Sequence, residues 1–279
     1  MLTVMVAALN EEELIAKTLS NIVMSARAVG LTEYELLVVN DGSTDKTGEI
    51  LANLQQSLPF LKVITHDKPH GFGASFVEAV HCAKYDKITC FAGDNNSHWS
   101  LMEAIFANRD KADMLTSYFI NTEVRKRARN LLSTIFSTIY VTTFDLNVKY
   151  INGNPLYSVP MLRKMKIRAH AHSIFAEINT RLLRQNITFY EVAGWSNPDT
   201  NRSQSIGFRN FWEVVKCYVA LVVEVYITNR SQYKARARRV GMPVLNAMKT
   251  DPNIHFNEFQ KLVKRREDSS FKAESYIDR

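Results

Sequence analysis

Cysteine is scarce in this chain. The 279 residues hold three, Cys82, Cys90 and Cys217. Their spacing is neither paired nor that of a metal knuckle, which excludes a disulfide-stapled scaffold and points to a reducing, cytoplasmic compartment. Cys90 falls in a strand pattern and Cys82 in a helix pattern, so both are expected in the core. Long hydrophobic runs are also missing. The longest, Val214 to Ile227, is interrupted by Lys216 and Glu224. It falls short of the roughly 20 residues a membrane span needs, so no crossing is expected. Met1-Leu2-Thr3-Val4 enters a strand with no basic or apolar leader pattern ahead of it. There is no internal repeat and no low-complexity segment. Acidic residues are outnumbered, 28 against 35 Lys and Arg, for a net charge of +7, with much of the excess after Arg230. That balance favours anionic partners, whether acidic lipid or nucleotide and lipid phosphates, with a solvated basic tail as the alternative. No nucleic-acid module accompanies the tail, so nucleic acid is not an expected partner.

What is present is a rhythm of strands and helices. Thr3 to Leu9, Tyr34 to Val39, Leu61 to Thr65 and Lys87 to Ala92 are short apolar runs of strand type. Helical spacing separates them: Leu14, Thr18, Ile22 and Ala26; Leu51 and Leu54; Phe76, Val80 and Ala83; then Leu101 to Ala107 after the fourth strand. Asn10 with Glu13 reads as the cap of the first helix and Asp45 as the cap of the second. Alternation of this kind implies parallel βαβ units, and right-handed crossovers put every strand end on one edge of the sheet. Two of those ends are rich in polar groups. Leu37-Val38-Val39 runs into Asn40-Asp41-Gly42-Ser43-Thr44-Asp45, and Thr89-Cys90-Phe91-Ala92 into Gly93-Asp94-Asn95-Asn96. Carboxylates at the carboxyl edge of an α/β sheet suit a polar ligand such as a metal-bound phosphate. Beyond Tyr118 the spacing predicts one long helix over Glu123 to Phe144, a turn at Asn152-Gly153-Asn154-Pro155, a helix over His172 to Arg184, a strand over Ile187 to Val192 and an apolar-rich helix over Phe208 to Thr228.

Val6-Ala7-Ala8-Leu9-Asn10-Glu11-Glu12, Val39 to Asp45, Gly71-Phe72-Gly73-Ala74 and Gly93-Asp94-Asn95 together resemble, in order and spacing, the inverting family 2 glycosyltransferases of the GT-A fold. Arg129 to Ser133, Tyr150 to Asn154, Glu177 and Arg202-Ser203 resemble the branch that makes dolichyl- and polyprenyl-phosphate sugars. The resemblance implies a Rossmann-like, mostly parallel sheet flanked by helices over residues 1–207, with a helical extension and basic tail over 208–279. It implies a UDP- or GDP-linked sugar as donor, held by Leu9, Asn10, Glu11, Asp41, Lys68, Gly71, Gly73 and Asp94. It also implies Mg²⁺ or Mn²⁺ at Asp94 and Asn96, where the ion neutralises the diphosphate leaving group. The family's Asp-x-Asp is incomplete, because Ala92 stands where the first Asp would be. His98 is a further nitrogen donor nearby.

On the acceptor side the resemblance assigns Arg129 and Ser133, an i, i+4 pair, together with Arg125 and Arg202, to the phosphate of a polyprenyl lipid. Glu177 takes the place of a carboxylate facing the acceptor, and Asp94, Arg129 and Glu177 make up the expected catalytic set. Tyr118 stands where some of these synthases carry another Arg. Phe208, Phe211, Trp212, Val215, Tyr218, Val219, Val222 and Tyr226 form a helical stripe. Such a stripe is either core or an interfacial helix on the cytoplasmic face of a membrane, the latter helped by Arg230, Lys234, Arg236, Arg238 and Arg239. Two other readings stay open: an enzyme acting on a saccharide or small-molecule hydroxyl with Glu177 as base, and a catalytically silent nucleotide-sugar-binding subunit. A homo-oligomer, by exchange of the tail, is also open.

Overall fold

The computed structural model describes residues 1–169, 173–198, 208–241, 256 and 259–260, without the side chains of 208–211. Four strands form its nucleus: β1 (Leu2–Ala8), β2 (Tyr34–Asn40), β3 (Leu61–Thr65) and β4 (Lys87–Ala92). β1 lies between β2 and β4, parallel to both, with Val6 opposite Val38 on one side and Phe91 on the other. β3 extends the sheet beyond β2, also parallel. The second half adds β5 (Met114–Phe119), β6 (Leu156–Ser158), β7 (Thr188–Gly194) and β8 (Arg238–Arg239). The full order is β3-β2-β1-β4-β6-β5-β7-β8, with β6 antiparallel to both neighbours and β5, β7 and β8 parallel to one another.

Alternate strand residues feed two cores. Val4, Val6, Leu36 and Val38 pack with α1 (Ile15–Ala28), α2 (Thr47–Ser57) and α4 (Trp99–Ala107). Met5, Leu37, Val39 and Cys90 face the other way. They pack with α3 (Phe72–Cys82), α5 (Arg127–Phe144), α6 (Val159–Arg163), α7 (Ile174–Leu183) and α8 (Phe208–Val223). Burial on both faces is why these strands read as unbroken apolar runs and not as alternating ones.

Several expectations change here. Asn10 does not cap α1, whose first residue is Ile15. It adopts a left-handed backbone, φ 57°, which Asn tolerates better than most residues, and turns toward β2. The long helix expected from Glu123 breaks at Arg125 and Lys126, between a 3₁₀ turn (Thr122–Val124) and α5. Cys82, at the end of α3, is exposed, whereas Cys90 is buried as expected. The C-terminal extension is joined to the catalytic body over its described part. Cys217, Leu221 and Val225 enter the second core, and β8 lengthens the sheet. In the stripe on α8 the buried face is Cys217, Leu221 and Val225, while Trp212, Val219 and Tyr226 are exposed. Phe208 and Phe211 lie outside the described side chains.

Candidate functional site

The carboxyl ends of β1, β2 and β3 are stitched together by side chains. Asn10 Oδ1 accepts the Thr44 N–H at 2.8 Å, and the Asn10 N–H donates to Ser43 Oγ at 3.0 Å. The next two amides follow suit, Glu11 to Thr47 Oγ1 and Glu12 to Asp45 Oδ2. Asp45 Oδ1 also takes the Thr47 N–H at 2.9 Å, but the cap position of α2 is held by Lys46, so Asp45 braces the turn one residue ahead of the expected cap. Leu9 stays exposed beside this seam.

Asp41 is buried at the end of β2. Its Oδ1 accepts the His70 N–H at 2.8 Å and lies 2.7 Å from His66 Nδ1, while Oδ2 accepts the Gly71 N–H at 2.8 Å. Burial pushes this carboxyl upward, but the His70 amide, the His66 ring and the Gly71 amide outweigh it and hold the group below the usual carboxylate range. The loop from β3 to α3 is thereby drawn over the β2 turn. Gly42 fits beneath it at φ +75°, where a Cβ would come within 2.6 Å of the Lys68 carbonyl carbon. Lys68 is exposed on this loop, and Gly71 and Gly73 open α3.

At the end of β4, Asp94 is partly buried and its Oδ1 accepts the Asn96 N–H at 3.1 Å. Amides surround it. Asn95 is left-handed, φ 53°, and its Oδ1 accepts from Asn21 Nδ2. Asn96 Oδ1 accepts from Ser97 Oγ, whose hydroxyl also lies 3.2 Å from Asn154 Oδ1. Asn154 Nδ2 reaches back to the Cys90 carbonyl, and Asn197 Nδ2 to the Asn95 carbonyl. One carboxylate beside an amide oxygen is an all-oxygen donor set, which fits a hard divalent ion that takes its remaining ligands from a phosphate. His98 plays a structural part, capping α4 by accepting the Ser100 N–H on Nδ1.

Along α5 runs a cavity of about 330 Å³. Asn130, Ser133, Thr134, Ser137 and Thr138 of the helix line it, facing Tyr118, Arg125, Lys149 and Tyr150. Arg125 and Ser133 both line this cavity. Arg129, one turn before Ser133, is partly buried and is not among the lining residues. Lys149 was not anticipated. Its Nζ donates to the Tyr118 hydroxyl at 3.0 Å, and its backbone N–H donates to the buried Glu191, which Arg239 of β8 also binds. Its signal in the sequence was its place immediately before Tyr150-Ile151-Asn152-Gly153-Asn154. Gly153 itself is forced by packing, since a Cβ there would stand 1.7 Å from the Ser117 carbonyl oxygen.

Glu177 has a different setting from the one expected. It is 0% exposed, accepts the Arg168 and Ala169 amides, and pairs with Arg181 at 2.7 Å. Its carboxylate is enclosed between α7 and the preceding loop and is not among the groups lining the cavity. Arg202 lies outside the described residues, as do His172 and the basic tail beyond 241.

The sequence profile described as "Glycosyl transferase family 2" matches residues 3–167. Among curated proteins, poly-β-1,6-N-acetyl-D-glucosamine synthase of Staphylococcus aureus (strain COL) is 29% identical over 93 residues, a stretch covering 33% of this chain and 21% of that protein. Among solved structures, glucosyl-3-phosphoglycerate synthase from Mycobacterium tuberculosis, in complex with Mn²⁺, UDP-glucose and phosphoglyceric acid, superposes with a TM-score of 0.57 at 14% identity, over 80% of this chain and 79% of that one. S. aureus TarS 1–349 in complex with UDP-GlcNAc gives 0.56 at 17% identity, over 82% and 68%. The structural likenesses show a shared fold, and the profile covers the four-strand nucleus β1–β4 with both polar strand ends. The chain belongs to glycosyl transferase family 2.

Proposed function

We propose that this chain transfers a sugar, with inversion, from a nucleotide donor to the phosphate of a polyprenyl lipid. The donor lies across the carboxyl ends of β1, β2 and β4. Leu9, Asn10 and Glu11 line its nucleoside end, Asp41 fixes the loop that carries Lys68, Gly71 and Gly73 over it, and Asp94 marks the diphosphate. Asp94 and Asn96 would hold Mg²⁺ or Mn²⁺, which supplies charge neutralisation for the departing diphosphate. The structural relatives solved with UDP-glucose or UDP-GlcNAc, one of them with Mn²⁺, support a nucleotide-sugar donor.

The observation that carries the acceptor reading is the cavity along α5 and what borders it. Two cations, Arg125 and Lys149, and a row of hydroxyls make it a site for an anion. On the remaining faces of α5, Leu131, Leu132, Ile135 and Ile139 are exposed. On α8 and the π turn Glu224–Thr228 that follows it, which meet α5 at Thr143 and Phe144, Trp212, Val219, Val223, Tyr226 and Ile227 are exposed too. A phosphate seated beside an apolar track is what a prenyl phosphate requires. Such a phosphate is already anionic and needs cationic positioning more than a general base, which agrees with Glu177 being enclosed. By the family resemblance alone, Arg129 and Arg202 are assigned to the same phosphate.

The test is transfer from radiolabelled UDP-glucose, UDP-GlcNAc and GDP-mannose, with Mn²⁺, to polyprenyl phosphate in detergent or to soluble saccharides. Label should enter the organic phase, and Arg125→Ala with Lys149→Ala should cut that transfer about a hundredfold, the scale of lost substrate positioning. Transfer to saccharide hydroxyls alone would overturn the lipid-phosphate reading and favour a glycan acceptor. No transfer despite nucleotide binding would favour a silent subunit.

A further inference from the structure

His66 follows β3 directly, and its ring is held between two carboxylates. Nδ1 lies 2.7 Å from Asp41 Oδ1 and Nε2 lies 2.6 Å from Glu78 Oε2, the latter on α3. A carboxylate only accepts hydrogen bonds, so a ring bonded to two of them donates from both nitrogens. His70 stacks on the ring, centroids 4.3 Å apart and planes 25° from parallel. Ligand atoms of Asp41, His66 and His70 fall within 4.8 Å of one another. Stacked rings, however, aim their in-plane nitrogens along separate planes, and both nitrogens of His66 already face carboxylates. The arrangement shares protons.

We infer that His66 is a positioning residue for the nucleotide donor: as an imidazolium it clamps Glu78 of α3 to Asp41 of β2 and holds the loop between β3 and α3 closed over the nucleoside end. This rests on the donor placement proposed above. The groups facing the ring are Asp41 from β2, Glu78 from α3 and His70 from the loop itself. His66 is 7% exposed and Glu78 41%, so the charge is sheltered on one side and reachable by solvent on the other. Burial pushes the imidazole pKa down, but the bonds to Asp41 and Glu78 outweigh it and raise the value. The clamp is therefore complete below that raised value. It weakens as pH rises through the raised value, when one nitrogen becomes an acceptor facing a carboxylate. The backbone of Lys68 and Pro69 is packed on Gly42 and would lift as the clamp opens.

Two measurements test the clamp. Two-bond ¹H–¹⁵N spectra of the labelled protein, with His66 assigned through His66→Gln, report its protonation without any ligand. Both nitrogens should be protonated at pH 7, and Glu78→Gln should move the midpoint down. Calorimetry with UDP-glucose and GDP-mannose from pH 6 to 9 then reads the consequence. The wild type should lose affinity as His66 deprotonates. His66→Gln should weaken binding about tenfold at pH 7, the equivalent of a lost charge-assisted hydrogen bond, and flatten the profile. Glu78→Gln should shift the profile to lower pH. A His66 that titrates as an ordinary imidazole, or is unmoved by Glu78→Gln, overturns the clamp whatever binds. A clamp seen by NMR with no nucleotide binding at any pH overturns the donor assignment and the positioning role together. Nucleotide binding indifferent to pH and to both substitutions overturns the positioning role alone.

Discussion

Asp94 is the residue on which the metal reading turns, and its neighbours explain why the sequence left its strength open. The end of β4 offers one carboxylate within a shell of amides, Asn95, Asn96, Asn154 and Asn197. Divalent affinity follows the number of charged ligands, so this set would bind metal more weakly than two carboxylates would. Ala92, which pairs with Ala7 at the end of the strand, stands where the family's first Asp would be. Ala92→Asp should lower the Mn²⁺ concentration needed for half-maximal UDP-glucose binding about tenfold, read by calorimetry across a Mn²⁺ series. An unchanged Mn²⁺ requirement would mean the ion is held elsewhere. Asp94 and Asp41 were legible because strand-end carboxylates in an α/β sheet have few purposes. His66 was not, because nothing in a linear sequence shows that Glu78, a turn into the next helix, and Asp41, a strand away, meet at one ring.

At the scale of elements, α7 and α8 are joined by buried charge. Arg181 pairs with Glu177 one turn earlier and reaches across to Glu224 with Nε at 2.9 Å. Glu224 also receives the Tyr233 hydroxyl and Arg168. It opens the π turn, where α8 widens after sixteen α-helical residues. Burial pushes the Glu224 carboxyl up, but its bonds from Arg181 and Tyr233 outweigh it and set the value below the ordinary one near 4.5. A depressed carboxylate contributes stability that is full above its unfolded value and is lost as pH falls through the folded one. Glu224→Gln should therefore cost about 3 kcal/mol in urea unfolding at pH 7, the low end for unpairing a buried ion because Glu177 remains as a partner for Arg181. The gap between variant and wild type should narrow at pH 4. A gap of the same size at both values would show that the pair is not what couples the helices. The parallel half of the sheet was legible because its strands are buried on both faces. β6 and β8 were not, since three and two residues carry no periodicity, and their pairing is set by long-range contacts such as Arg239 with Glu191.

For the whole molecule the distribution of apolar surface decides more than its amount. Apart from Met1 and Leu9, every exposed large hydrophobic side chain among the described residues lies on α5, α8 or the π turn. These elements touch: Tyr218 bonds Thr143, and Tyr226 stacks on Phe144 with planes 7° apart. Leu131 at 62% and Ile227 at 70% are the most exposed of these side chains. Arg125, Lys126 and Arg127 stand at the start of α5 and Arg230 follows the π turn, in a chain of net charge +7. No helix among the described residues is long and apolar enough to cross a membrane. With the lipid acceptor proposed above, we propose that this exposed face meets the surface of an anionic bilayer. Contact of that sort has two separable parts. Its electrostatic share fades within a Debye length and is lost at about 1 M salt, whereas its apolar share persists. Co-sedimentation with phosphatidylcholine–phosphatidylglycerol vesicles should show binding that salt reduces without abolishing. Leu131→Glu with Ile135→Glu should lower the partition about tenfold at low salt and leave almost none at high salt, since two apolar side chains and their contact with acyl chains are lost. UDP-glucose binding by the same variant should be unchanged, because both residues are exposed on α5 and neither belongs to the strand-end groups assigned to the donor. Vesicle binding that the double variant retains would assign the face to a protein partner and leave the prenyl chain without its track.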